Sequence, residues 1–138
     1  MKTLLLIFVS VVMLSCQPDD NVPTLPVDDN FDTSKATLIK QGMLVGAGHT
    51  ASGTASLYHA NGTKVVVLDP YSSQNGPDLK VYLSKDEEAK EYVKLGNLKS
   101  TTGKQVYEIP TSADVNQFGY VHIWCEKYTV VFAIADLK

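Results

Sequence analysis

Arginine is absent from the 138 residues, and cysteine and tryptophan are scarce, at two and one. All positive side-chain charge comes from twelve lysines, set against fifteen acids for a formal charge of −3. A nucleic-acid binder of this size needs a basic stripe, and arginine is the usual reader of bases and phosphates, so that class is excluded. Two cysteines, Cys16 and Cys125, cannot build a disulfide framework, and His49, His59 and His122 fit no spaced zinc motif. No helix-period stretch is long enough to supply the crossovers of a parallel α/β sheet. No nucleophile–base set stands out, so the chain does not read as a free-standing catalyst. No repeat or low-complexity segment is present.

The first fifteen residues read as an address. Met1-Lys2 supplies one positive charge, and Leu4 to Leu14 is an apolar run broken only by Ser10. The run is shorter than the roughly 20 residues a membrane-spanning helix needs, and it has the order of a secretory signal. Met13-Leu14-Ser15-Cys16 resembles the lipobox of bacterial lipoproteins. That resemblance implies cleavage before Cys16, lipidation of Cys16 and anchoring in a lipid bilayer of the bacterial cell envelope. The expected location is the outer membrane, facing either the periplasm or the exterior. Several acyl chains on one cysteine meet the two-signal requirement for stable anchoring.

Residues 16–35 form the next segment. From Gln17 to Ser34 the chain is rich in proline and aspartate and has no apolar period, so a disordered or extended acidic tether is expected. From Ala36 to the end, ten lysines balance ten acids. The acidity therefore lies in the tether and the remaining domain is formally neutral.

Residues 36–138 read as strands. The expected segments are 37–46 (with Gly42 as a bulge position), 53–59 and 63–69 around the hairpin signal Asn61-Gly62, then 79–84, 92–95, 105–109, 120–126 and 129–135. In 79–84, Leu79, Val81 and Leu83 alternate with Lys80, Tyr82 and Ser84, which predicts a sheet with one wet face. Lys85 to Glu91 reads as a charged loop or short turn. About eight strands at this spacing predict an all-β fold: a single antiparallel β-sandwich or barrel-like domain.

Cys125 is the residue of most chemical interest. Once Cys16 is lipidated, it is the one thiol of a secreted chain, and such a thiol is either buried or used. Strand parity puts Val121, Ile123 and Cys125 on one face, and Tyr120, His122, Trp124 and Glu126 on the other. The Val/Ile face is the core face, which favours inert burial of Cys125. A reactive thiol would need a cation beside it, and none shares its face. Trp124, with Tyr120, Tyr82 and Tyr128, reads either as packing or as a stacking platform for a protein or glycan. His49 lies in the glycine-rich turn 46–53, and Asn75-Gly76-Pro77-Asp78 is turn chemistry at every position. Asp78 and His122 complete the candidate binding residues.

These motifs, taken in order, resemble a known family. The order runs from His49-Thr50-Ala51-Ser52-Gly53 through Asn75-Gly76-Pro77-Asp78-Leu79 and Leu95-Gly96-Asn97-Leu98 to Val121-His122-Ile123-Trp124-Cys125 and Phe132-Ala133. From about Ala36 to Leu137 the chain resembles the electron-transfer DM domain (number thirteen of its series), found in Skeletor-type proteins beside DOMON domains. The resemblance implies an all-β module with a redox role. The family's hallmark cysteine maps onto Cys125, as a bare thiol or a haem ligand; were haem bound there, His49 or Met43 would be the candidates for a second ligand. A redox role also calls for a redox partner protein of the envelope, although no DOMON or cytochrome domain accompanies the resemblance in this sequence. The competing expectation is a non-catalytic binding or adhesion module in which Cys125 is structural.

Overall fold

The computed structural model describes residues 21–138. The signal segment and Cys16 lie outside the described residues. The described residues are all-β, as expected, with nine strands in one curled mixed sheet that forms a half-barrel. In chain order these are β1 (Val27–Asp28), β2 (Thr37–Gly46), β3 (Ala51–Ala60), β4 (Thr63–Ser73), β5 (Leu79–Ser84), β6 (Tyr92–Asn97), β7 (Gly103–Ile109), β8 (Tyr120–Cys125) and β9 (Val130–Asp136). Their spatial order is β1-β7-β4-β3-β2-β9-β8-β5-β6. All pairings are antiparallel except β1 with β7.

The local reasons are the ones the sequence offers. Asn61 and Gly62 both take positive φ, at 51° and 78°, and close the β3–β4 hairpin. Alternating apolar residues of β3, β4, β5, β8 and β9 fill one core that includes Leu57, Val66, Leu68, Val81, Leu83, Ile123 and Phe132. The curl brings β6 near β7 across the core, where the Tyr107 hydroxyl accepts from the Lys99 backbone N–H at 3.0 Å.

Three expectations need correction. The first concerns the acidic segment. Residues 21–35 carry a short strand and, at Thr33–Lys35, one 3-10 turn, and they are not free of the domain. Val22 is buried in the core, Asn21 bridges to Pro77, and β1 pairs with the start of β7. The Thr101 N–H donates to the Pro23 carbonyl at 2.9 Å and the Ser100 hydroxyl to that of Leu25 at 2.7 Å. Asp29 accepts from the Val106 N–H at 2.8 Å and pairs with Lys99, which helps hold its carboxyl below the ordinary range against the opposing effect of burial. Backbone and carboxylate bonding to β7 replaces the apolar period that the segment lacks.

The second concerns Gly42, which marks no bulge. The register break in β2 falls between Leu38 and Lys40, while a Cβ on Gly42 would lie 2.1 Å from the Asp136 carbonyl oxygen. This glycine serves the close approach of β9. The third concerns β5, which has no wet face: all six of its residues are buried. It runs between β6 and β8, whose aromatic side chains cover the side expected to face water.

Candidate functional site

Five separate pieces of chain meet at one end of the half-barrel. Cys125, the last residue of β8, is 3% exposed. Its thiol donates to the Pro77 carbonyl at 3.2 Å. Pro77 belongs to the 74–78 turn between β4 and β5, and Gly76 of that turn packs on Phe132 of β9. A Cβ at Gly76 would lie 2.8 Å from the Phe132 ring, so a larger residue there would have to displace that ring. Phe132 is also stacked on by His49, with ring centroids 4.1 Å apart and an 8° interplanar angle.

The His49 turn is fastened on both sides. The Ala47 N–H donates to the Phe132 carbonyl at 2.9 Å, and Thr50 and Gln74 exchange two hydrogen bonds of 2.7 and 2.9 Å. The fifth piece is the N-terminal segment. The Asn75 side-chain carbonyl accepts from the Val22 N–H at 3.1 Å and the Gly76 N–H at 2.8 Å, and its amide donates to the Val22 carbonyl at 2.8 Å. The structure therefore gathers His49, the 75–78 turn and Cys125 at one pole, with Phe132 between them. Phe132 appears in the sequence only as one member of the final motif, and the Asn21–Val22 clasp has no local signal.

Asp78 sits at the rim of this pole with φ of 53°. Its carboxylate accepts from Lys80 Nζ at 2.5 Å, and Lys80 also donates to Asn97 at 2.7 Å. Beside it, Asn21, Val22, Pro23, Lys80 and Asn97 help line a polar cleft of about 220 Å³. Among the described residues, no three His, Cys, Asp or Glu side chains gather as metal ligands.

The surroundings of Cys125 do not fit a haem. The sulfur points to a backbone carbonyl inside the packed core, and the turn above it is closed by Gly76 against Phe132. Met43 is 77% exposed, and neighbouring Leu44 is buried, so Met43 lies on the sheet face opposite the core side that holds Cys125.

The outer face of β8 holds the remaining candidates, and it is not a free platform. His122 is fully buried despite its outward parity. Its Nε2 lies 2.8 Å from the Glu87 carbonyl and its Nδ1 2.6 Å from the Ser84 hydroxyl. A carbonyl can only accept, so Nε2 carries the proton and the Ser84 O–H donates to Nδ1. Burial pushes the His122 pKa down, which agrees with a neutral ring. This serine–histidine contact, between residues 38 apart, has no signature in the sequence. Both groups are sealed and the third partner is a backbone carbonyl, so the contact pins the 85–91 turn in place. Asp86 caps that turn, accepting from the N–H groups of Glu88, Lys90 and Glu91 at 3.0–3.1 Å.

Trp124 and Tyr120 are half-buried. Trp124 is taken up in a stack with Tyr82 at 5.8 Å, and Tyr82 stacks on Tyr92 at 4.1 Å. The Tyr82 hydroxyl donates to Glu126 Oε1 at 2.7 Å, and Lys94 pairs with the same oxygen at 2.7 Å. Hydrogen bonds from Lys94 and Tyr82 hold the Glu126 carboxyl below its ordinary range.

The sequence profile of the family Electron transfer DM13 matches residues 43–137. This chain belongs to that family. The match runs from the end of β2 through β9 and takes in the converging pole, including His49, the 75–78 turn, Cys125 and Phe132. No curated protein and no solved structure matches the chain.

Proposed function

We propose that this DM13 chain is a lipid-anchored electron-transfer module of the bacterial cell envelope. Cys16 is its acylated anchor, and the pole around Cys125 is where it exchanges electrons with an envelope partner protein. The observation that supports this reading is convergence: motif residues spread from position 49 to 132 meet around Phe132, beside the turn whose Pro77 carbonyl takes the Cys125 thiol. In the resting geometry that thiol is closed, with its proton directed to Pro77. No cation sits at the sulfur to favour a thiolate, so its chemistry requires the 75–78 turn to lift.

The test uses the mature lipoprotein, in which the Cys16 sulfur is blocked as a thioether and Cys125 is the one titratable thiol. Its rate with a thiol reagent is measured folded and unfolded, and its voltammetry is compared with that of Cys125→Ser. A folded thiol that reacts at neutral pH, with a reversible wave lost in Cys125→Ser, supports the reading. Reaction only on unfolding makes Cys125 a core residue, and the binding-module interpretation then replaces the redox pole. Anchoring is tested separately: Cys16→Ala should move the protein out of the membrane fraction.

A further inference from the structure

The Tyr92–Tyr82–Trp124 stack invites a more specific reading than surface packing. Tyr82 is 3% exposed and lies between two other aromatic rings, so it is unavailable to a ligand. Its hydroxyl points at a carboxylate that Lys94 keeps ionised. The column begins at solvent with Tyr92, 48% exposed, on the edge strand β6. It ends at Trp124, whose neighbour in the chain is Cys125. Beyond Trp124 the rings continue edge-on to His122 at 6.4 Å and on to Tyr120 at 6.2 Å.

We propose that this column is a one-electron relay between the β6 edge and the Cys125 end of β8, with Tyr82 as its radical-forming member. It deepens the electron-transfer reading and rests on it. Tyr82 gives one electron to a one-electron acceptor of high potential, an oxidised metal centre. At the same time its phenolic O–H bond breaks, and the proton passes to Glu126 Oε1, forming the carboxylic acid. Re-reduction by one electron draws the proton back and restores both groups. Without a fixed base, the oxidised phenol would have to release its proton to a surrounding that water scarcely reaches. A base already within hydrogen-bond distance removes that requirement. A structural role for the Tyr82–Glu126 bond needs only a partner for a buried phenol, and the amide of a glutamine would serve that equally well.

That difference defines the experiment. A ruthenium(III) polypyridyl complex, generated by flash-quench, oxidises the intact protein, and radical formation is followed optically and by electron paramagnetic resonance. The wild type is expected to give a tyrosyl radical. Tyr82→Phe should remove that signal, and Tyr128→Phe, at an exposed ring outside the stack, should leave it unchanged. Glu126→Gln keeps an acceptor oxygen but not the base, and should slow radical formation about a hundredfold at neutral pH. Circular dichroism establishes that each variant is folded.

A radical indifferent to both Tyr82→Phe and Glu126→Gln overturns the relay. The photo-oxidation does not require Cys125, so the two readings fail separately. A radical on Tyr82 beside an unreactive thiol retains the stack as an oxidisable element and removes the cysteine pole as its terminus. A reactive thiol beside an indifferent stack does the reverse.

Discussion

On β8, Val121, Ile123 and Cys125 point into the half-barrel, and His122 on the opposite side is just as thoroughly sealed from solvent. The inner residues are held by contact with other apolar side chains. His122 is held by the Ser84 hydroxyl and the Glu87 carbonyl, and its neighbours Trp124 and Tyr120 by contacts with other rings. Equal burial thus arises in two ways. Packing is indifferent to pH and sensitive to volume, while a satisfied polar network is sensitive to protonation and to the loss of any one partner.

The inner face of β8 is the more costly to disturb. Ile123→Ala empties a fully buried site and should cost about 2–5 kcal/mol, read as a fall in the urea midpoint with an unchanged slope. A loss well below that range would mean the inner face is loosely packed. On the outer side, His122→Leu strands the Glu87 carbonyl and leaves the Ser84 hydroxyl only its 3.3 Å bond to the Asp86 carbonyl. It should cost about 1–3 kcal/mol and speed amide exchange in residues 85–91.

The same histidine gives the outer side a pH signature. Its pKa is lowered on folding, chiefly by burial and against the pull of Asp86 and Glu87, so the unfolded chain takes up its proton first. The stabilisation is therefore complete above the unfolded value of 6.5 and is lost as pH falls from there through the lower folded value. The slope is at most about 1.4 kcal/mol per pH unit. Denaturation across this window should flatten in His122→Leu and persist in Ile123→Ala. The lowered carboxyls of Asp29, Asp86 and Glu126 act in the same sense only at lower pH.

Smaller effects sharpen the contrast. Cys125→Ser retains a donor for Pro77 but exchanges a soft apolar group for a hydroxyl, and should cost about 1 kcal/mol in thermal unfolding. Tyr128, 66% exposed, lies outside both arrangements, and Tyr128→Ser should change stability by no more than about 0.5 kcal/mol.

The strands were legible because β-branched alternation and the Asn61-Gly62 turn are local signals, and eight of the nine strands fall where those signals put them. The inward parity of Val121, Ile123 and Cys125 was legible for the same reason. β1 was not, since Val27–Asp28 owes its strand to β7, about 76 residues further on by the pairing of Val27 with Gly103. The covered outer face of β5 was likewise hidden: alternation says which residues share a side, not whether rings from β6 and β8 will lie over it. At the pole, His49, Gly76, Pro77, Asp78 and Cys125 were each visible as motif residues. Their meeting around Phe132, and the clasp made by Asn75, depend on contacts that no window of sequence contains.

That clasp bears on how the molecule would be moored. Asn21 and Val22 are fastened to the 75–77 turn, so only residues 17–20 separate Cys16 from a fixed point on the domain. Five peptide units reach at most about 18 Å. With an acyl group on Cys16, the domain would ride on a short painter tied at its Cys125 end rather than at the far tip of a long stalk. Its encounters would then be lateral, with partners that share the same membrane surface, and lengthening the chain between Cys16 and Asn21 would be the way to let it swing.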